Sequence, residues 1–222
     1  MYMPENKRGD FTPAPVGTHI AICYRIIDLG TQTEEYEGKK RVGRRVLIGW
    51  ELPNERMEAN GKPFIVARRY SFSSNEKASL RKDLESWRGK GFSDDEITKF
   101  DLQSVLTKTC MLSIMQEQKK TGGVRSKITA VSPIIKGMPI PPMTNIPCYI
   151  CLDPDEFDIA EFNLLSQGLK ATIQASPEWA QLQKLGLTPL DGEGGPAPAS
   201  SAVGASENAP RQPPDLDDDI PF

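Results

Sequence analysis

The sequence predicts a mainly β domain followed by a small helical extension and an acidic tail, and three observations predict it. Over residues 1–136, runs rich in Ile, Val and aromatic residues alternate with basic or glycine-bearing turns. A proline-rich stretch then leads into two short amphipathic helical patterns. From Asp191 the chain reads DGEGGPAPASSAVGASENAPRQPP and then DLDDDIPF, a composition with too little apolar surface to order itself.

The elements follow in order. His19 to Gly30 (HIAICYRIIDLG) is a strand pattern closed by glycine, and the polar loop TQTEEYEGKK leads to a second strand, Arg41 to Leu52. Period two puts Arg44, Val46, Ile48 and Trp50 on one face of it, and Arg45, Leu47, Gly49 and Glu51 on the other. After a turn at Asn60-Gly61, Lys62 to Phe72 makes a third strand. Arg44-Arg45 and Arg68-Arg69 put basic side chains on both faces of these strands. Buried arginines are costly, so these ends are expected beyond the core, along a groove rim. Ser74 is the expected N-cap of a helix carrying Ala78, Leu80, Leu84 and Trp87 and ending at Gly89. A shorter helix is expected from Ser93, with Asp94, Asp95 and Glu96 in its first turn. Cys110 to Gln116 and Val124 to Val131 complete the set as strands four and five. Five strands with a helix between the third and fourth is the order of a five-stranded OB-fold barrel.

Past residue 136, GMPIPPMTNIP reads as an extended linker, because proline cannot donate to a sheet ladder. Asp153-Pro154-Asp155-Glu156 looks like one helix start, with Phe157, Ala160 and Leu164 on its apolar side and Gly168 near its end. Ser176-Pro177-Glu178 looks like another, carrying Trp179, Leu182 and Leu185. Alone this segment is too small for a core, so it should pack on the β domain, a second copy or a partner. The expected division is a β domain over 1–136, a linker over 137–152, the helical extension over 153–187, a disordered tether over 188–214 and an acidic tip over 215–222.

The formal net charge of −3 hides a division of charge. Residues 1–136 hold 24 of the 27 Lys and Arg against 17 of the 30 Asp and Glu, a balance of +7; the rest of the chain holds 3 against 13, a balance of −10. A basic body with an acidic appendage points to a polyanion as ligand. No apolar run reaches the about 18 residues of a membrane span, and MYMPENKRGDF is not a secretory signal. Four cysteines do not make a disulfide scaffold, so a reducing cytoplasm is expected. A single histidine, His19, excludes most histidine-dependent catalysis.

The tip is the most informative segment. Asp215, Asp217, Asp218 and Asp219 precede Ile220, Pro221 and the terminal Phe222. Solubilising tails do not end in an apolar anchor; this one suits a pocket that holds the phenyl ring while basic residues hold the carboxylates. The ending DDDIPF, on its low-complexity tether, resembles the tip of bacterial single-stranded DNA-binding proteins, where it docks replication, recombination and repair proteins. The body resembles instead the phage-encoded single-stranded DNA-binding proteins over about residues 10–136, in RRVLIGWEL, KASLRKDLESWRGKGF and FDLQSVL. The Phe157–Trp179 stretch, ending SPEW, is similar to the segment after the barrel in those proteins.

Strand binding needs cations for phosphates and flat rings for bases. Lys39, Lys40, Arg41, Arg44 and Arg45 surround the loop containing Tyr36; Arg68 and Arg69 precede Tyr70 and Phe72; Lys119, Lys120 and Arg125 flank the last hairpin. Tyr36 is the best stacking candidate, being in a polar loop. Trp50, Tyr70 and Phe72 are candidates for stacking or for the core, because their strand faces also carry Val and Ile.

Two other constellations have simpler readings. Cys148-x-x-Cys151 with His19 and Cys23 fails as a zinc site, since strand residues four apart lie about 13 Å apart. Asp94-Asp95-Glu96 reads as helix N-terminal acids rather than a metal cluster. No nucleophile–base pair or phosphate-cradling loop is present, so no catalytic residue, metal or cofactor is expected. The expectation is a non-enzymatic protein that coats single-stranded DNA in the cytoplasm of a bacterial host, with a tip that recruits partners and competes with DNA for the basic groove. A strand-annealing accessory and a protein-only adaptor are the alternatives. Edge strands, or the helices around Phe162 and Trp179, are candidate homodimer surfaces.

Overall fold

A computed structural model describes residues 12–36, 38–119 and 122–188. The chain is mainly β. Strands β1 (Gly17–Tyr36), β2 (Lys39–Arg56), β3 (Pro63–Ser71), β4 (Thr109–Gln118), β5 (Val124–Ser132) and β6 (Cys148–Ile150) form one six-stranded sheet. Its order is β3-β2-β1-β4-β5 with antiparallel neighbours, and β6 adds in parallel to β1 beside Arg25 to Ile27. β1 is the hub. Its first residues pair with β4 and the remainder with β2, with register shifts at Cys23/Arg25 and Asp28/Gly30 that bend it between the two. The sheet is curved but not closed: no hydrogen-bonded ladder joins β3 to β5 among the described residues. Helix α1 (Ser79–Arg88) packs against both of these edge strands.

The concave side holds the first core. Ile26, Val46, Ile48, Trp50, Val66 and Tyr70 meet Leu80, Leu84 and Trp87 of α1, and Trp50 lies 6.0 Å from Trp87 between ring centroids. The expected alternation in β2 holds. Val46, Ile48 and Trp50 enter this core while Leu47 faces the other way. α1 starts later than Ser74 predicts, with Ala78 in the N-cap position and no side-chain cap. Gly89 ends it in the left-handed conformation at φ 70°. α2 (Asp94–Thr98) follows, with the Ser93 hydroxyl accepting from Glu96 N and the Glu96 carboxylate accepting from Ser93 N. Asp94, Asp95 and Glu96 are thus first-turn acids, as the sequence predicts. A 3-10 turn at Leu102–Val105 completes the crossing to β4.

The convex side holds a second core that joins the sheet to the extension. Ile27, Leu29 and Leu47 pack against Ile150, Leu152, Phe162, Leu169, Ile173, Trp179 and Leu182. Three helices supply the cover: α3 (Ile159–Asn163), α4 (Gln167–Gln174) and α5 (Pro177–Lys184). The last begins at Ser176-Pro177 as its sequence predicts. The expected helix start at Asp153-Pro154 is a turn instead, closed by Glu156 N donating to Asp153 O at 3.0 Å. The cap lies at Asp158, whose carboxylate accepts from Ala160 N, and Gly168 sits within α4 rather than ending a helix.

The linker expected over 137–152 is only partly a linker. Residues 139–147 have no helix or strand, but Cys148–Ile150 is β6. The linker is also anchored. Glu51, fully buried on β2, accepts from Thr144 N at 2.7 Å, Asn145 N at 2.8 Å and Asn145 Nδ2 at 2.6 Å. These three donors satisfy a carboxylate that would otherwise be too costly to bury.

Candidate nucleic-acid interface

The expected loop between the first two strands is a continuation of both. β1 and β2 stay paired from Thr31 and Arg44 to Tyr36 and Lys39. β3 leaves this hairpin early, its last bond running from Phe72 N to Arg44 O at 2.8 Å. Beyond it lies a two-stranded arm on which Lys40 and Arg41 are exposed, opposite Glu35 and Glu34. The side chains of Tyr36 and Lys39, and Lys120 altogether, lie outside the described residues, as does the segment Asp215–Phe222 expected to dock partners.

At the root of the arm the cations hold acids of the same chain. Arg44 forks onto Asp28, its Nε at 3.0 Å, and this pairing raises its already high pKa. Arg45 donates to Glu34 at 2.5 Å and to the Ser71 hydroxyl. On β3, Arg68 meets Asp83 of α1 at 2.8 Å, whereas Arg69 stands opposite Leu47 on the convex side. On the β4–β5 hairpin, Arg125 and Lys127 share Glu117 at 3.0 and 3.2 Å. Partial burial, and then the charge of Arg125, lower the ammonium pKa of Lys119.

The aromatic candidates separate cleanly. Trp50 is 1% and Tyr70 2% exposed, so neither can stack on a base; both are core residues, and the Tyr70 hydroxyl donates to Asp83 at 2.8 Å. Phe72 is 50% exposed, because it stands one residue past the end of β3. The Arg44 guanidinium lies 5.8 Å from its ring centroid. The pair borders a cavity of about 210 Å³ also lined by Phe100 and Tyr149. Neither ring stood out in the sequence: Tyr149 is enclosed by two cysteines and Phe100 lies in a loop after a short helix. Asp28, Asp101, Asp153 and Glu156 line the same cavity, so it repels phosphate and offers only its rings to bases.

His19 is held by Pro15 O and Glu55, each at 3.0 Å, while burial pushes the Cys23 thiol up to about 12 and the Cys148 thiol to about 11. Among the described residues, no three His, Cys, Asp or Glu side chains are grouped as a metal site, and no helix is long and apolar enough to cross a membrane. The chain matches no known protein-family model and no curated protein.

Proposed function

We propose that this chain is a sequence-independent single-stranded DNA-binding protein of phage type, with an OB-like body and a C-terminal peptide that recruits replication, recombination or repair proteins. The observation that carries the reading is the two-stranded arm on which Lys40 and Arg41 are exposed, rooted beside the Arg44–Phe72 pair. Phosphates track the cations of the arm, and bases stack on the exposed ring, each stacked base contributing about 1–3 kcal/mol. Support for the OB-like reading comes from the element order and from α1 bridging the edge strands β3 and β5. The role is binding, not catalysis.

The internal ion pairs do not oppose this. Pairs near the surface are worth about 0–1 kcal/mol, so Arg125 or Lys127, which share Glu117, exchanges a carboxylate for a phosphate at little cost. The same pairs do favour one competitor, an adaptor that binds only proteins. Anisotropy of a labelled oligo(dT) decides between them. Binding at low salt that weakens in Phe72→Ala and in Lys40→Ala/Arg41→Ala supports the DNA reading; no binding at low salt supports the adaptor.

A further inference from the structure

A two-stranded ribbon is only marginally stable by itself. The arm therefore needs support at its root, and the helical extension supplies it. Glu178, at the start of α5, accepts from Thr31 N at 2.8 Å and from the Thr31 hydroxyl at 2.6 Å. Next along the chain, Gln32 Nε2 donates to Thr172 O of α4 at 3.0 Å. Just before them, Gly30 occupies the left-handed region at φ 70° where the β1–β2 register shifts. A Cβ at Gly30 would lie 2.5 Å from Ser176 and 2.9 Å from Glu178. Three successive residues at the base of the arm thus meet α4 and α5.

We propose that Glu178 is a positioning residue for DNA binding, gripping Thr31 to fix the direction of the arm that carries Lys40 and Arg41. The proposal rests on the single-stranded DNA reading above. Burial tends to raise the Glu178 carboxyl, but the Thr31 hydroxyl and amide and the nearby Arg44 outweigh it and leave its pKa lowered. A carboxylate beside a polyanion site has one effect if it acts by charge alone: removing it tightens DNA binding. Positioning predicts the reverse sign.

The test uses the full-length protein, labelled oligo(dT) and circular dichroism as a check of fold. Glu178→Ala is expected to weaken binding several-fold, while Glu178→Gln, which keeps an acceptor and loses the charge, binds at least as tightly as the parent. In a Lys40→Ala/Arg41→Ala background, Glu178→Ala should add no further loss. Folded Glu178→Ala that binds as well as or better than the parent overturns the proposal, as does a loss that persists undiminished without the arm cations. If Glu178→Ala does not fold, Glu178→Leu takes its place: it keeps the side-chain bulk and removes both acceptors for Thr31, so weakened binding supports the proposal and unchanged or tighter binding ends it. Failure of the parent protein itself to bind oligo(dT) rejects the DNA reading and this proposal together; binding by the parent with an unaffected variant rejects the proposal alone.

Discussion

At the scale of single residues, Tyr70 and Phe72 are aromatic and two positions apart, yet one is buried and the other half exposed. Between them the core ends: β3 stops at Ser71, and Tyr70 joins the buried cluster with Leu80 and Leu84 of α1 while Phe72 does not. Alternation could place both rings on one face, but only the position of the strand's end decides which is buried. Trp50→Ala should therefore cost about 3–5 kcal/mol in urea unfolding, the range for a buried large ring. Phe72→Ala should leave stability within about 0.5 kcal/mol, as surface changes do, and appear in DNA affinity. Glu51 was legible only as a position on a face; that its carboxylate would be buried and satisfied depends on Thr144 and Asn145, more than ninety residues away in sequence. Glu51→Leu strands those amides, so we expect a loss of about 2–3 kcal/mol and faster proteolysis within residues 139–147. Glu178 has a pH signature. Its folded value is below the ordinary 4.5, so its contribution is complete above that pH and lost as pH falls through the lowered value. The stability gap between the parent and Glu178→Ala should be constant near neutrality and close in acid.

At the scale of elements, the five main strands, α1, α2 and α5 were readable because each carries a periodic apolar pattern or a cap. What escaped was short or depended on distant partners. β6 has three residues and comes after a proline-rich run, and it becomes a strand only because β1 presents an unpaired edge beside it. α4 was concealed because Gly168 resembles a helix end, yet Leu169 and Ile173 are fully buried against the sheet. The extension is thus half of the second core. Leu169→Ala should cost about 2–5 kcal/mol and lower the hydrogen-exchange protection of Ile27 and Leu47 together with that of Ile173. Protection lost in α4 alone would mean that the extension unfolds separately from the sheet.

At the scale of the whole molecule, the −3 net charge is the sum of a +7 body and a −10 remainder. The described body does not display +7 as bare cations. Arg44, Arg45, Arg68 and Arg125 are each tied to an acid, an arrangement set by strand pairing and by the packing of α1 on β3, and invisible in composition. On the proposed reading, a phosphate would have to replace a carboxylate at each of these pairs. A chain lacking Asp215–Phe222 should bind oligo(dT) more tightly at low salt if the tip competes for the arm, and identically if it does not. The central claim is tested most directly by titrating labelled oligo(dT) with the full-length protein across a salt series. The account predicts saturable binding at low salt, with log affinity falling linearly with log salt by about 0.7 for each phosphate contacted; an oligonucleotide left unbound at the lowest salt would contradict it.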